Sequence, residues 1–425
     1  MKTARQLIEY IRGGGADETF VRLYGSAESA RERYIDLLED FCALYGEQRE
    51  AIIVSAPGRA EIGGNHTDHQ HGCVLAAALR LDIVGVASPR ADMTARLKSR
   101  GFEEDVADLN LLTPVEKEIG KSVSLIRGVA AAFKNLGAKI GGFDCVTVSD
   151  VLKGSGISSS AAFEVLVGAV FNHLYNGGNV SHVDEAKSGQ YAENVFFGKP
   201  SGLMDQMASA VGGFVGIDFN NPAQPVVTPV DFDFEKTGYS LCIVDTGDSH
   251  VDLTEEYAAI RTEMNSVAQC FGKEVLRDVD EREFFARVAR VRDICGDRAV
   301  LRAIHFFADT RRAAQERIAL ESGDFDLFLK LVNESGESSF MYNQNVFAPS
   351  DPSHQGIAVA LALTQRFLGD KGAYRLQGGG FGGTIQAYVP VELTAAYARE
   401  IDAVMGKGSC KPMSVRPDGS RVVVS

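Results

Sequence analysis

Three features that mark specialised protein classes are missing from this sequence of 425 residues. The seven cysteines are scattered and odd in number, and no C-x-x-C pair occurs, which argues against a disulfide framework and indicates reduced thiols. No apolar run approaches the length of a membrane span, and the N-terminal segment M-K-T-A-R-Q-L-I-E-Y-I-R lacks the apolar core of a signal peptide. We therefore expect a soluble, cytoplasmic protein without a membrane partner.

Positive charge is also scarce. The 43 Lys and Arg residues are outnumbered by 57 Asp and Glu residues, and the formal net charge of −14 argues against a nucleic-acid surface or binding to an anionic membrane. A phosphate-bearing ligand would then be held by local backbone groups, a few cations and a metal ion. The hydrophobic content of 45% is that of an ordinary globular protein, and the length indicates two domains.

The segment V-L-K-G-S-G-I-S-S-S-A-A-F-E-V-L, residues 151–166, joins a predicted strand to a predicted helix. Residues 143–148 alternate and carry β-forming side chains, whereas residues 161–174 are apolar at nearly every helical position. Gly154 and Gly156 allow a tight bend and a close approach of the backbone to a ligand. The pattern therefore predicts a strand–loop–helix unit.

Two interpretations of this loop remain open. In the first, Ser158 or Ser159 caps a helix after a glycine turn. In the second, the unpaired N–H groups of the first helical turn bind the phosphates of a nucleotide, because they carry the positive end of the helix dipole. The first turn contains no acid, and the nearest carboxylate is Glu164.

A second segment, A-P-G-R-A-E-I-G-G-N-H-T-D-H-Q-H-G at residues 56–72, is dense in polar residues although apolar runs flank it on both sides. This context favours a binding site over a solvated surface. The cluster His66, Asp68, His69 and His71 is compatible with a metal site, but its order fits no common ligand spacing, and the same residue types bind sugar hydroxyls. Arg59 is either a structural ion-pair partner or a counter-charge for phosphate.

A third candidate is Asp205, in F-G-K-P-S-G-L-M-D-Q-M-A-S. Because Leu203, Met204 and Met207 flank it, the carboxylate is expected to be partly buried. It is therefore either a helix cap or a carboxylate with a perturbed pKa that takes part in chemistry.

Two motifs lack the context that their usual function requires. The sequence Gly120-Lys121-Ser122 resembles the end of a Walker loop, but Val115 stands where the first glycine is needed. The spacing Gly378-x-Gly380-x-x-Gly383 matches the dinucleotide fingerprint, yet a predicted strand follows it instead of a helix.

Helices and strands do not alternate strictly, which favours an α+β fold with two-layer halves. Long amphipathic helices dominate the second half, and the Pro-rich stretch at 221–229 marks a domain joint. We therefore predict an N-terminal domain at residues 1–220 and a C-terminal domain at 221–425, with the last strand as a candidate for return to the N-terminal half.

The segments A-P-G-R-A-E-I-G-G-N-H-T-D-H, K-G-S-G-I-S-S-S-A-A and R-L-Q-G-G-G-F-G-G stand in this order along the chain. Together they resemble the three signature motifs of the GHMP small-molecule kinases and, within that superfamily, those of the galactokinases. The similarity extends to A-E-N-V-F-F-G-K-P-S-G-L-M-D-Q, E-E-Y-A-A-I-R and R-A-I-H-F-F-A-D-T-R-R-A. It therefore covers nearly the whole length.

The resemblance implies the two-domain GHMP kinase fold, with an N-terminal half like domain 2 of ribosomal protein S5 and a helix-rich α+β C-terminal half. ATP and a sugar would bind in the cleft between the halves. The implied reaction transfers the γ-phosphoryl group to the anomeric hydroxyl of galactose, giving galactose 1-phosphate and ADP. Phosphoryl transfer depends mainly on positioning and charge stabilisation, and alignment alone supplies about 7–11 kcal/mol.

Residue by residue, the resemblance implies the following roles. Catalysis falls to Asp205 and Arg59, and sugar binding to Asn65, His66, Asp68, Gly202 and Tyr257. ATP binding falls to Gly154, Ser155, Gly156, Ile157, Ser158, Ser159, Ser160 and Ala161, and Mg²⁺ binding to Ser160 and Glu193. The loop 378–383 would support the site from the other domain. Asp205 would act either as a general base for the sugar hydroxyl or as an ionised group that only orients it.

One departure from the family pattern bears on the sugar. Galactokinases usually have glutamate where this chain has Asn65, and Glu61 and His69 also differ from the commonest pattern. An asparagine binds a hydroxymethyl group or accepts a sugar carboxylate that glutamate would repel. The alternatives to a galactokinase are therefore a kinase for a related sugar such as galacturonate, or a non-catalytic sugar sensor. The sequence does not assign an oligomeric state, and a monomer is compatible with it.

Overall fold

The computed structural model describes residues 1–151, 157–199, 201–247 and 253–425. Gly154, Ser155 and Gly156 lie outside these ranges, so their assignment to a phosphate loop stays a prediction. In the described part, helices cover two β-sheets, and the predicted α+β class is confirmed.

Among the described residues, nine strands form the larger sheet, and eight of them lie before residue 231. These eight are β1 (Lys2–Thr3), β2 (Glu50–Gly63), β3 (Cys73–Pro89), β4 (Thr94–Ser99), β5 (Glu104–Asp108), β6 (Phe143–Ser149), β7 (Phe214–Asp218) and β8 (Val226–Val230). The main order is β1-β2-β3-β6-β4-β5, and β7 joins the sheet beside the first part of β3. The pairing of β4 with β6 is parallel, whereas β2, β3 and β6 are antiparallel.

Helices cover both faces of this sheet. They are α1 (Ala4–Arg12), α2 (Asp17–Tyr24), α3 (Glu28–Tyr45), α4 (Ser122–Asn135), α5 (Ser159–Tyr175), α6 (His182–Tyr191) and α7 (Met204–Val211). Along β2, Ile52 and Val54 pack into the core beneath α4–α7, whereas Ala51 and Ile53 pack beneath α1–α3. Since successive side chains of a strand point to opposite faces, burial of both faces explains the continuous apolar run.

The structure lengthens the predicted strands around the first polar segment. The sequence predicts a strand only over residues 51–55, but β2 continues to Gly63 and β3 is one unbroken strand from Cys73 to Pro89. Polar residues 59 and 61 therefore lie on a strand and, being two residues apart, on the same face of it. The sequence also missed α2, α4, β4 and β5.

The smaller sheet belongs to the second half of the chain. Its strands are β9 (Tyr239–Asp245), β10 (Ala373–Gln377), β11 (Thr384–Pro390) and β12 (Cys410–Met413), in the antiparallel order β10-β11-β9-β12. The helices of this half are α8 (Thr254–Gln269), α9 (Glu281–Ala286), α10 (Val288–Cys295), α11 (Asp297–Glu321), α12 (Phe325–Ser338), α13 (Gly356–Leu368) and α14 (Val391–Met405). The sequence predicts one helix over 281–294, but the chain breaks at Arg287 into α9 and α10.

The chain end returns to the larger sheet, where β13 (Arg421–Val424) pairs with residues 53–55 of β2. The chain changes sheets only after Val230, later than the predicted boundary at residue 220, because the Pro-rich stretch contains β8. Within the described ranges, no helix combines the length and apolar character needed to cross a lipid bilayer.

We expect the returning segment to depend on Arg416, which is fully buried and whose Nη1 donates to Asp82 Oδ2 at 2.8 Å and to Ser55 Oγ at 2.7 Å. Because Arg416→Met leaves these acceptors short of a donor, it should lower the free energy of unfolding by about 3–5 kcal/mol. Urea denaturation followed by circular dichroism measures this.

The matched control is Arg100→Met, which removes an exposed ion pair with Asp40 and should cost about 0–1 kcal/mol. Equal shifts in the two variants would contradict a stabilising role for the Arg416 contacts.

Candidate active site

A cavity of about 200 Å³ lies between the two sheets. Five of the residues that the sequence assigns to the site line it: Arg59, His66, Asp68, Gly202 and Asp205. The other lining residues are Glu61, Ser201, Met204, Gly378 and Gly379. The structure therefore brings the first signature segment, the segment around Asp205 and the glycine-rich loop of the second half to one cavity.

Arg59 and Asp205 form a two-pronged ion pair in this cavity. Arg59 Nε donates to Asp205 Oδ1 at 2.6 Å, and Nη2 donates to Oδ2 at 2.7 Å. Asp205 lies in the first turn of α7, where the helix dipole favours a negative charge. Burial by itself would raise the pKa of Asp205, but Arg59 and the hydroxyl of Ser158 outweigh it and lower that pKa below its usual value. The carboxylate is therefore ionised at neutral pH.

The phosphate-loop segment meets the site through Ile157 and Ser158. The hydroxyl of Ser158 donates to Asp205 Oδ2, and the carbonyl of Ile157 accepts from the backbone N–H of Arg59 at 3.2 Å. Ser158 precedes α5, has a positive φ of 54°, and makes no side-chain hydrogen bond that caps the helix. The capping interpretation is wrong for Ser158, because its hydroxyl donates to Asp205 instead of bonding to the start of α5. Ser159 and Ser160 open α5 itself, and Ala161 is buried in it.

The sequence did not assign Glu61 to the site, although it lines the cavity two residues after Arg59 on the same strand face. Its Oε1 accepts from Arg375 Nη2 at 2.7 Å and from Asn65 Nδ2 at 2.9 Å. Burial raises the pKa of Glu61, whereas both donors favour its ionised form. Alternate residues of a strand share a face, so Glu61 could have been placed beside Arg59 from the sequence. That inference requires knowing that β2 continues to Gly63.

His66 and Asp68 line the cavity from the turn after β2. His66 Nε2 lies 2.9 Å from the carbonyl of Gly379, so this nitrogen carries the proton, and burial lowers the His66 pKa to about 4. The imidazole is thus neutral at pH 7. A Cβ on Gly202 would overlap Asp68 Oδ2, which explains why a residue without a side chain stands there.

Asn65 lies behind the cavity wall and is fully buried. Its Nδ2 donates to Glu61 and to the carbonyl of Gly378 at 2.7 Å, and its Oδ1 accepts from Asn345 Nδ2 at 2.8 Å. The backbone N–H also donates to Asp309 Oδ2 at 2.8 Å. Asn65 therefore does not line this cavity: it holds the wall in position, and the carboxylate that reaches the cavity comes from Glu61.

Tyr257 also lies behind the lining. Its hydroxyl donates to the carbonyl of Gly380 at 2.8 Å, and a Cβ on Gly379 would overlap its ring. Tyr257 and Asn65 thus support the loop 378–383, which the sequence predicted to reach the site from the second half.

The two residues predicted to hold Mg²⁺ are also brought together. Ser160 Oγ lies 3.2 Å from Glu193 Oε1. Glu193 belongs to a π-helical segment, Ala192–Phe197, that extends α6. The ammonium group of Lys199 lies 2.9 Å from the same oxygen. A hydroxyl and a carboxylate suit Mg²⁺, which takes few protein ligands and keeps waters or phosphate oxygens. Glu193 already attracts the positive charge of Lys199, so a bound cation is compatible with this position.

A further pair of residues, missed from the sequence, supports Glu193. Gln206 Nε2 donates to Glu193 Oε2 at 3.1 Å and to Glu164 Oε2 at 2.9 Å. Burial and the charge of Glu193 raise the pKa of Glu164 well above its usual value.

No group of three or more His, Cys, Asp or Glu side chains suited to a metal ion occurs among the described residues. The metal interpretation of the cluster at 66–71 therefore finds no support.

Comparison with known proteins finds two matching segments in the chain. Residues 39–89 match the galactokinase galactose-binding signature, and residues 124–213 match the N-terminal domain of GHMP kinases. These two segments are therefore similar to GHMP kinases, and the first of them to galactokinases in particular. The resemblance predicted from the motifs and the predicted GHMP kinase fold are thus confirmed.

Solved structures of three small-molecule kinases superpose over most of the chain. Lactococcus lactis galactokinase in complex with galactose is 25% identical, with a TM-score of 0.76, and the match covers 90% of this chain and 98% of that one. L. major mevalonate kinase in complex with R-mevalonate is 17% identical, with a TM-score of 0.57 and coverages of 87% and 97%. The mevalonate kinase of Methanococcus jannaschii is 15% identical, with a TM-score of 0.60 and coverages of 86% and 98%. The last two show similarity of fold alone.

We expect Asn65→Glu to destabilise this protein, because it adds a carboxylate beside Glu61 and Asp309 where no solvent reaches. The expected cost is about 3–5 kcal/mol. The exchange variant Glu61→Asn/Asn65→Glu keeps one amide and one carboxylate in contact and should recover part of that loss. A double-mutant cycle on urea unfolding measures the coupling, expected at about 0.5–3 kcal/mol. Purely additive costs would contradict a direct interaction between these two side chains.

Proposed function

We propose that this protein is an ATP-dependent sugar kinase that phosphorylates the anomeric hydroxyl of galactose, giving galactose 1-phosphate and ADP. The observation that carries the proposal is the ion pair of Arg59 and Asp205, which lines a small cavity and is hydrogen-bonded to Ser158 at the start of α5. In this arrangement a bound hydroxyl group and a triphosphate would meet at the same pair of side chains. The galactose-binding signature over residues 39–89 supports the choice of sugar.

The nucleotide would bind at residues 154–161, with its phosphates against the N–H groups that open α5. Ser160 and Glu193 would hold Mg²⁺, which when bound neutralises charge on the phosphate oxygens. Lys199 adds a positive charge beside Glu193. This allocation agrees with the net charge of −14, because the anionic ligand relies on local backbone groups and a few cations.

Asp205 would accept a hydrogen bond from the anomeric hydroxyl and orient its oxygen towards the phosphorus atom. Because Arg59 and Ser158 lower the pKa of Asp205, the carboxylate is a weak base. It would take the proton only late, when the bond from oxygen to phosphorus has largely formed. Phosphoryl transfer through a loose transition state makes little demand on a base, so positioning is the larger contribution. Of the two roles that the sequence left open, orientation is therefore the better supported.

Arg59 would have two effects. It keeps Asp205 ionised and in one orientation, since both guanidinium hydrogen bonds constrain the carboxylate plane. It also offers positive charge to the transferred group. Arg59 stays charged in every relevant condition, because a guanidinium is not deprotonated in proteins.

The sugar would be bound by Glu61, His66 and Asp68. A carboxylate accepts hydrogen bonds from hydroxyl groups, and the protonated nitrogen of neutral His66 already donates to the wall. The cavity volume of about 200 Å³ is below the ~300–1,000 Å³ of pockets for larger ligands, which suits a monosaccharide. Asn65, the residue that motivated the galacturonate alternative, does not line the cavity. Glu61, Asp68 and Asp205 do line it and would repel a sugar carboxylate.

The test of the proposal is ADP release over a panel of sugars that includes galactose and galacturonate, with ATP and Mg²⁺. We expect kcat/KM for galactose to exceed that for galacturonate by about 100-fold or more, because a like charge in such a cavity costs several kcal/mol. A preference for galacturonate would overturn the choice of sugar. Binding of galactose without any ADP release would overturn the kinase proposal and favour the sensor.

We expect Asp205→Asn to lower kcat by roughly two to four orders of magnitude, since the amide neither carries charge nor accepts the proton. The control is Asp218→Asn, which changes an ion pair with Arg277 outside the cavity lining and should leave turnover near that of the unchanged protein. Circular dichroism should give the same spectrum for both variants. Near-normal turnover of Asp205→Asn would remove this residue from the mechanism.

A further inference from the structure

A second cavity, of about 500 Å³, lies among the helices of the second half. It is lined by the ends of α8 and α10, and it shares no lining residue with the cavity of the candidate active site. Two cysteines line it together: Cys270 directly follows α8, and Cys295 is the last residue of α10. Their sulfur atoms are 3.4 Å apart.

Both thiols are partly exposed, and neither is in a disulfide. The S–H of Cys270 is also within 3.5 Å of the carbonyl of Ser266, and either sulfur can act as donor to the other. A disulfide requires the sulfurs to approach to about 2.05 Å. Since both side chains stand at helix ends, a movement of little more than 1 Å would bring them to that distance.

Two guanidinium groups line the same cavity. Arg287 Nη2 donates to the carbonyl of Cys270 at 3.0 Å, and Arg287 also packs over the ring of Phe271. Arg287 Nη1 is paired with Glu283 at 2.7 Å. Arg290 also lines the cavity and is the second source of positive charge near the thiols. Burial and the hydrogen bond with Cys295 raise the pKa of Cys270, and the charges of Arg287 and Arg290 offset only part of that rise.

A second pair of cysteines gives a useful contrast. Cys242 and Cys410 are hydrogen-bonded to each other between β9 and β12, but both are buried in the core of the smaller sheet. A reagent has no comparable access to that pair. Close contact of two thiols, an adjoining cavity and nearby cations therefore coincide at Cys270 and Cys295.

We propose that Cys270 and Cys295 form a dithiol site that reacts with small anionic disulfides and closes to an intramolecular disulfide. One cysteine thiolate attacks a sulfur of the reagent, the reagent's S–S bond breaks, and one thiol leaves. The second cysteine thiolate then attacks the mixed disulfide, forms the Cys270–Cys295 bond and releases the second thiol. Two protein thiols are oxidised and one disulfide is reduced to two thiols, so atoms and electrons balance. The cavity admits the reagent, and the two arginines attract its carboxylates.

The experiment treats the full-length protein with oxidised glutathione and follows free thiols and intact mass. We expect the loss of two thiols, no retained glutathione, and a 270–295 cross-link in the peptide map that dithiothreitol reverses. The single variants Cys270→Ser and Cys295→Ser should each retain one glutathione, whereas the control Cys42→Ser should behave like the unchanged protein. Glutathione retained on the unchanged protein, or a cross-link elsewhere, would overturn the proposal without any reliance on the variants.

Charge selectivity is tested with cystamine, a cationic disulfide, in place of oxidised glutathione. Relative to a free thiol, the protein should favour oxidised glutathione over cystamine by about tenfold or more at low salt. Arg290→Gln should reduce this preference. Equal selectivity of the protein and the free thiol would overturn the anionic assignment.

Discussion

The buried ion pair between Glu61 and Arg375 joins the two sheets at the point where the candidate active site lies. Arg375, from β10, is fully buried and also donates to the carbonyl of Ile62 at 2.7 Å, while Gln386 of β11 donates to the carbonyl of Glu61 at 2.5 Å. The end of β2 is thus held by side chains of the second sheet. Because loss of one partner would strand a charge out of water, separation of the two sheets would be costly.

This constraint also explains why the site residues share a cavity. Arg59 and Glu61 lie on one face of β2. The ion pair that fixes Glu61 against Arg375 of β10 therefore also directs Arg59 into the same cavity. Arg59 in turn binds Asp205 of α7 with two hydrogen bonds and meets the carbonyl of Ile157. The pair that the proposed function makes catalytic is therefore held in position by the fold itself, and phosphoryl transfer depends mainly on such positioning.

The sequence predicted the elements whose patterns are local. The strand β6 and the helix α5 were both found within two residues of their ends, because alternation and helical periodicity are visible in short windows. The extension of β2 to Gly63 was not found, since its polar residues are buried by the other half of the molecule. The place of Asn65 relative to the cavity was not visible in the sequence either. Gly64 has a φ of 85° and turns the chain, so Asn65 does not continue the face that carries Arg59 and Glu61.

The base of the cavity shows how so many charges are tolerated there. A Cβ on Gly63 would overlap the carboxyl group of Glu316, which is buried and accepts no hydrogen bond from any described residue. Burial raises the pKa of Glu316 well above its usual value and so favours its neutral form.

Burial likewise lowers the pKa of His305 and so favours its neutral form. The charges that remain are those of Glu61 and Asp309 against Arg375 and Arg312, which balance. Position 61 lines the cavity and position 65 does not, so under the proposed function the residue at position 61 would matter more for the sugar.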